Sequence, residues 1–307
     1  MKNTGIIGVL NNPATSINSH SAGMVNIVSK LFDADILTEN DDWEKYDQLI
    51  IYHGTNFKPG SFNVIGGINE LTLIRSKKLL QNINKTVSLD GFQLNEFSKK
   101  RKLLTYDTVQ DIQTIDLPKK ENLVIGDSHS ISVWMGETYS INRNDGKTLY
   151  GFLKNPPDLN EYKHIVFYFG NIDIRFHLAR QSDPISATKT LINNYLEYAS
   201  KYNSTITTLL PIEDIFRKIP NTGLYKGKPY FGSWELRNEL KNIANDLIIN
   251  SGLDYITWPK SFCDDNGKLS FDIMEPKQSV HIRPKYYFLN YCNEENLMNN
   301  NNQLSLL

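Results

Sequence analysis

The chain has 307 residues, 40% of them apolar and 22% charged, which is the balance of a water-soluble globular protein with room for one large or two ordinary domains. A formal charge of −1 supplies no global attraction for nucleic acid, and no apolar run is long enough to cross a bilayer. The two cysteines, Cys263 and Cys292, are too few for a disulfide framework and show no metal spacing, so a reducing cytoplasm is the expected compartment.

The first apolar run, Gly5 to Leu10, is too short for the core of a signal peptide and lacks a basic lead-in; it reads as a strand. Val25, Ile27, Val28, Leu31 and Phe32 recur at helical spacing and predict a helix over about Ser21 to Phe32. Tyr46 to Tyr52 reads as a buried strand ending at His53 and Gly54, and a helix-like run from Leu71 to Ile83 precedes a strand from Thr86 to Leu89. This alternation predicts an open parallel sheet with ligands beyond the carboxyl ends of its strands. Asn11, Asn12, His53, Gly54, Thr55 and Asp90 lie there. The basic cluster Lys99 to Lys102, with Lys119 and Lys120 nearby, reads as a solvated loop.

Leu103 to Pro118 is less periodic, so a boundary is expected near Pro118. The division is then an α/β domain over 1–118, a second over 119–298 and a disordered tail over 299–307. In the second domain Leu123 to Ile125 reads as a short buried strand, Gly126 as a sharp turn, and Asp127, Ser128 and His129 as the start of a short helix. A polar stretch over 137–148 follows without an assigned element. Tyr162 to Phe169 is a strongly apolar strand that stops at Gly170, and Asp173, Arg175 and His177 alternate after it as a polar trio. Asp183 and Pro184 open a helix as N-cap and first residue, with Ile185, Leu191, Tyr195 and Tyr198 facing the core. A strand over Ser204 to Leu210, a helix over Trp234 to Asn250 and a strand over Leu253 to Thr257 follow. Pro284 begins a closing helix carrying Tyr286, Tyr287 and Leu289.

A serine at a strand-to-helix turn stands at the lip of a parallel sheet with backbone N–H groups beside it, which suits a nucleophile. Its hydroxyl needs a base within hydrogen-bond reach, and the neutral imidazole of His281 is the candidate. The Asn171 amide is a candidate oxyanion donor, a role commonly worth about 3–4 kcal/mol of barrier. Asp173 and Arg175 fit either a polar reaction centre or a structural ion pair, and His129 either reaches substrate or caps the turn. His20, His53 and His164 show no ligand spacing, and neither a metal site nor a cofactor is expected.

These stretches, in this order, resemble the blocks of the SGNH/GDSL hydrolase family over about residues 120–295. By that resemblance Gly126 to Ser130 is the first block, with Ser128 the nucleophile and its own N–H in the oxyanion hole. Gly170 to Asp173 resembles the third block and His281 the base of the last. The resemblance implies catalytic roles for Ser128, His281, Asn171 and Asp173, and substrate contacts for Asp127, His129, Gly170, Arg175, His177 and Gln278. Two positions depart from the family's pattern. Ile172 stands where an asparagine directly precedes the aspartate, and Gln278 stands where an aspartate precedes the histidine by three. A glutamine orients an imidazole without neutralising an imidazolium, which leaves Glu275 and Asp272 as acidic alternatives.

Tyr46 to Tyr52, Asn56 to Ser61 and the chain up to Asp90 resemble the amino-terminal half of a GT-B glycosyltransferase, such as the phage enzymes that glucosylate modified cytosine in DNA. A generic Rossmann-like domain accounts for the same pattern. The abundance of Asn, Lys and Ile fits the AT-rich genome of a phage or bacterium. The expected fold is α/β, a parallel-sheet, three-layer SGNH-like domain preceded by a smaller Rossmann-like α/β domain. The expected activity is that of a serine esterase or acyltransferase on an ester of a carbohydrate or related small molecule. The alternatives are a phage-type transferase modifying a sugar or DNA base, and a catalytically inactive ligand-binding module. Nucleic acid as a partner is not indicated by the net charge, no membrane partner is expected, and the oligomeric state is left open.

Overall fold

The strands of this protein run parallel, in two separate sheets, in a computed structural model that describes residues 3–7, 20–38, 40–52, 78–79, 81–89, 113–213, 231–275 and 280–291. The chain divides into two units, Met1–Lys119 and Lys120–Leu307.

In the first unit β1 (Thr4–Ile7), β2 (Ala34–Ile36), β3 (Gln48–Ile51) and β4 (Thr86–Ser88) pair in the order β2-β1-β3-β4. Ile6, Leu49 and Ile50 are fully buried, as strands covered on both faces require. Helix α1 (His20–Phe32) lays Met24, Val28 and Leu31 into this core at the spacing seen in the sequence. Ser88 exchanges backbone hydrogen bonds with Gln113 and Ile115, so the chain returns alongside β4 before leaving the unit. Asn11, Asn12, His53, Gly54, Thr55, Asp90, the cluster Lys99 to Lys102 and most of the predicted helix Leu71 to Ile83 lie outside the described residues.

The second unit holds five parallel strands, β5 (Asn122–Gly126), β6 (Tyr139–Arg143), β7 (His164–Tyr168), β8 (Ser204–Thr207) and β9 (Asp254–Ile256), in the order β6-β5-β7-β8-β9. The polar stretch left unassigned in the sequence contains β6. Tyr-Ser-Ile-Asn-Arg buries only its middle on the sheet edge, so it lacks the apolar run that marks β5 and β7. Helices α2 (Leu149–Leu153), α3 (Asn171–Phe176), α4 (Pro184–Ala199) and α5 (Trp234–Ile249) complete the connections. Asp183 caps α4 by accepting the Ser186 N–H, and Ser233 caps α5 by accepting that of Leu236.

Tyr195, Tyr198, Leu240 and Ala244 of α4 and α5 cover one sheet face, against Ile165, Phe167 and Ile206. On the other face Tyr168 packs at 5.8 Å from Trp258, which stacks on Phe262. The predicted closing helix is shorter than its sequence suggested: a 3₁₀ turn over Pro284–Tyr286 precedes α6 (Phe288–Tyr291). The predicted helix after Ser128 is likewise a single 3₁₀ turn, Ser130–Val133.

The chain adds β6 on one side of β5 and then β7 on the other, so the connections diverge between β5 and β7. In an open parallel sheet that switch point leaves a crevice at the carboxyl ends of the two strands. Ser128 follows β5 and Asn171 follows β7.

Candidate active site

Gly126 ends β5 where no side chain fits: a Cβ there would lie 2.2 Å from the Tyr168 carbonyl oxygen and 2.8 Å from Ser130 Cβ. The turn that follows is closed by its own polar groups. Asp127 N–H donates to the Tyr168 carbonyl at 3.0 Å, and the Asp127 carboxylate accepts the His129 N–H at 2.8 Å. Ser130 N–H and Oγ–H both donate to the Asp127 carbonyl, at 3.1 and 2.8 Å. Among the described residues the Ser128 N–H has no partner, whereas the Ser128 hydroxyl lies 2.7 Å from His281 Nε2.

His281 is held by a short antiparallel pairing. Glu275 N–H donates to the His281 carbonyl at 2.8 Å, Arg283 N–H donates to the Ile273 carbonyl at 3.0 Å, and Met274 bridges Ile282. This pairing sets Glu275 Oε2 3.4 Å from His281 Nδ1, with side-chain exposures of 8% and 13%. With a proton on Nδ1 facing the carboxylate, Nε2 is the acceptor for the Ser128 hydroxyl. Glu275 is thus the acid beside the imidazole. Asp272 is exposed and Gln278 lies outside the described residues. Behind Glu275 the Tyr287 hydroxyl is pushed up by burial and by the Glu275 carboxylate, with Arg143 opposing.

Gly170 adopts a φ of 107°, which favours glycine, and starts α3 two residues after the end of β7. Asn171 is 1% exposed; its Oδ1 accepts the Leu210 N–H at 3.4 Å, and its Nδ2 has no partner among the described residues. The neighbouring Tyr168 hydroxyl is buried beside the Asn171 amide; burial and Asp127 raise its pKa, and the Asn171 amide opposes them.

Because α3 is helical, Asp173 and Arg175 point apart instead of alternating along an extended chain. Asp173 accepts the N–H groups of Leu149 at 2.6 Å and Tyr150 at 3.2 Å, at the start of α2. Burial lifts its carboxyl from the usual 3.8 to about 7 against those two bonds, and Asp127 adds to the rise. Arg175 forms a two-pronged pair with Glu213, both bonds at 2.7 Å, and donates through Nη1 to the Asn171 carbonyl at 3.0 Å. His177, half-buried, ends α3, and burial and Arg180 lower its pKa. His164 is interior, between Tyr139 and Thr205.

The structure therefore brings Ser128, His281 and Glu275 together and sets Asn171 in the adjacent turn. It gives Asp127, Asp173 and Arg175 protein partners at 0–1% exposure. Glu213 was missed in the sequence. It stands just past the apolar run that holds β8, on the carboxyl side where site residues gather, and that position was its only signal. Among the described residues no group of three His, Cys, Asp or Glu side chains is arranged to hold a metal, and no helix is long and apolar enough to cross a membrane.

No protein-family model and no curated sequence matches this chain. Solved structures show likeness to part of it. A protein from Streptococcus pneumonia assigned as a platelet activating factor shares 15% identity, over 58% of this chain and 83% of that one, at a TM-score of 0.39. A GDSL-like lipase from Bacteroides thetaiotaomicron shares 16%, over 53% and 80%, at 0.37. A Bacteroides fragilis protein assigned as an acylhydrolase shares 17%, over 59% and 87%, at 0.38.

Proposed function

We propose that the second unit is a serine esterase or acyltransferase whose catalytic groups are Ser128, His281 and Glu275. One observation carries this reading: a serine hydroxyl 2.7 Å from an imidazole whose other nitrogen faces a carboxylate, at the switch point of a parallel sheet. A hydroxyl is a weak nucleophile until a base takes its proton, and this arrangement supplies the base and a charge to stabilise the imidazolium that forms.

In the proposed reaction Ser128 Oγ attacks an ester carbonyl carbon while His281 Nε2 takes the hydroxyl proton. The carbonyl oxygen becomes an oxyanion, which the Ser128 N–H and Asn171 Nδ2 are placed to receive, since among the described residues no other acceptor is found for either. Collapse of the tetrahedral intermediate expels the alcohol, which leaves with the proton from His281. Water or a second hydroxyl then gives its proton to His281 and attacks the acyl carbon; the bond to Ser128 Oγ breaks, an acid or a new ester leaves, and His281 returns the proton to Oγ. An ester of a carbohydrate or related small molecule is the proposed substrate, because Gly170, Asp173, Arg175 and His177 stand in a Gly-x-x-Asp-x-Arg-x-His spacing that resembles SGNH-like proteins of sugar-related gene neighbourhoods. The first unit is proposed to bind a sugar, nucleotide or modified base, on its resemblance to a GT-B half.

The test is covalent labelling by a fluorophosphonate probe together with release of p-nitrophenol from short acyl esters. Wild-type protein is expected to label and to hydrolyse, Ser128→Ala to do neither, and His281→Ala to be slower by about 10³-fold or more in both. A folded wild-type protein that takes no label would overturn the serine mechanism.

A further inference from the structure

Beside the Glu275–His281 couple stands a second carboxylate–imidazole couple that the proposed reaction does not use. His129 is 2% exposed and Asp127 is fully buried. His129 Nδ1 lies 2.8 Å from Asp127 Oδ1, the same oxygen that accepts the His129 backbone N–H. The far side of the ring reaches across to the segment carrying the base: His129 Nε2 lies 3.2 Å from the carbonyl oxygen of Val280, the residue just before His281. A carboxylate and a carbonyl both only accept, so the two contacts together need a hydrogen on each nitrogen of the ring. The two imidazoles meet at a 40° tilt with centroids 4.6 Å apart, and the Tyr168 ring meets His129 edge-on at 6.0 Å.

From these contacts we infer that His129 is a positioning residue for His281, tying the turn that carries the nucleophile to the segment that carries the base. The inference rests on the serine mechanism proposed above. His281 is held on its carboxyl side by the pairing of Ile282 and Arg283 with Met274 and Ile273. On its amino side the Val280 carbonyl has His129 as its hydrogen-bond partner among the described residues. The ring thus fixes the near end of the base segment and provides the flat surface against which the His281 ring lies. The same ring is seated by Asp127 in the turn that presents Ser128, so one side chain sets the separation of the two reacting groups. A displacement of about 1 Å between nucleophile and base costs roughly 100-fold in rate.

Three substitutions separate this role from a merely structural one, because glutamine places an amide N–H near the histidine Nε2 position and asparagine near Nδ1. His129→Phe keeps a flat ring without donors. His129→Asn keeps a donor toward Asp127 and loses the one toward Val280, and His129→Gln does the reverse. The readouts are kcat and KM on a p-nitrophenyl ester, the rate of fluorophosphonate labelling, and the thermal midpoint of each variant. His129→Phe and His129→Asn are expected to lower kcat and labelling about 10- to 100-fold with KM within about twofold, and His129→Gln to recover most of the loss. Rescue by Asn but not Gln would place the role at Asp127 alone and overturn the inference, as would wild-type labelling rates in a folded His129→Phe. Wild-type protein that takes no label would instead remove the serine mechanism and this inference with it.

Discussion

Glu275 reaches His281 through backbone pairing, and that pairing is what distinguishes it from the acids and amides near it in the chain. The Glu275 N–H to His281 carbonyl bond sets the two residues opposite each other, and the carboxylate then meets Nδ1 at 3.4 Å. Asp272 is exposed, and its N–H is turned toward Ser270 Oγ. Glu275→Gln keeps the shape and removes the charge that stabilises an imidazolium, so kcat is expected to fall about 10²- to 10⁴-fold with KM little changed. Asp272→Asn, measured in the same ester assay, is expected to leave both within twofold. Equal losses in the two variants would remove Glu275 from the site. Ser128 and His281 were legible in the sequence because a strand, a glycine and a serine in succession describe one local geometry. The acid was open between Glu275 and Asp272, since no local pattern says which of them is set against the imidazole.

The elements around the site are locked together by buried charge, and that makes them sensitive to pH. Asp173 on α3 holds two N–H groups at the start of α2, and its carboxyl is raised to about 7 chiefly by burial. A raised carboxyl pKa means that the folded state holds a proton the unfolded chain has released between about pH 4 and pH 7. Stability therefore falls as pH rises across that window. Thermal unfolding across that range is expected to show this slope, and Asp173→Asn, which cannot ionise, is expected to flatten it. An unchanged slope in the variant would assign the titration to another group. The neighbouring Arg175–Glu213 pair is buried at 1% on both sides and braces the Asn171 carbonyl. In the sequence Asp173, Arg175 and His177 alternate as though extended. The positive φ of Gly170 turns the chain directly into α3, which separates the first two onto different partners.

At the scale of the whole molecule the groups named in the proposed reaction all belong to the unit Lys120–Leu307. A chain beginning at Lys120 is expected to fold and to take the fluorophosphonate label at Ser128 at the full-length rate, read by circular dichroism and labelling kinetics. A folded fragment that does not label would make the first unit part of the reaction. The sequence by itself determined the parallel α/β class, the strands β5 and β7, the helices α4 and α5, the Asp183 cap of α4, and the pairing of a candidate serine with a candidate histidine. Each of these is written locally, in apolar runs of at least three residues, in a 3.6-residue period, or in residue types suited to a turn. The tertiary structure alone decided that Tyr139–Arg143 is a sheet edge, that Glu275 is the carboxylate facing His281, that Arg175 pairs with Glu213, and that His129 lies against the Val280 carbonyl. Apart from Glu275 and His281, which meet through backbone pairing, those contacts join residues far apart in the chain. Such partners are chosen by strand order and backbone pairing, which no stretch of sequence contains on its own.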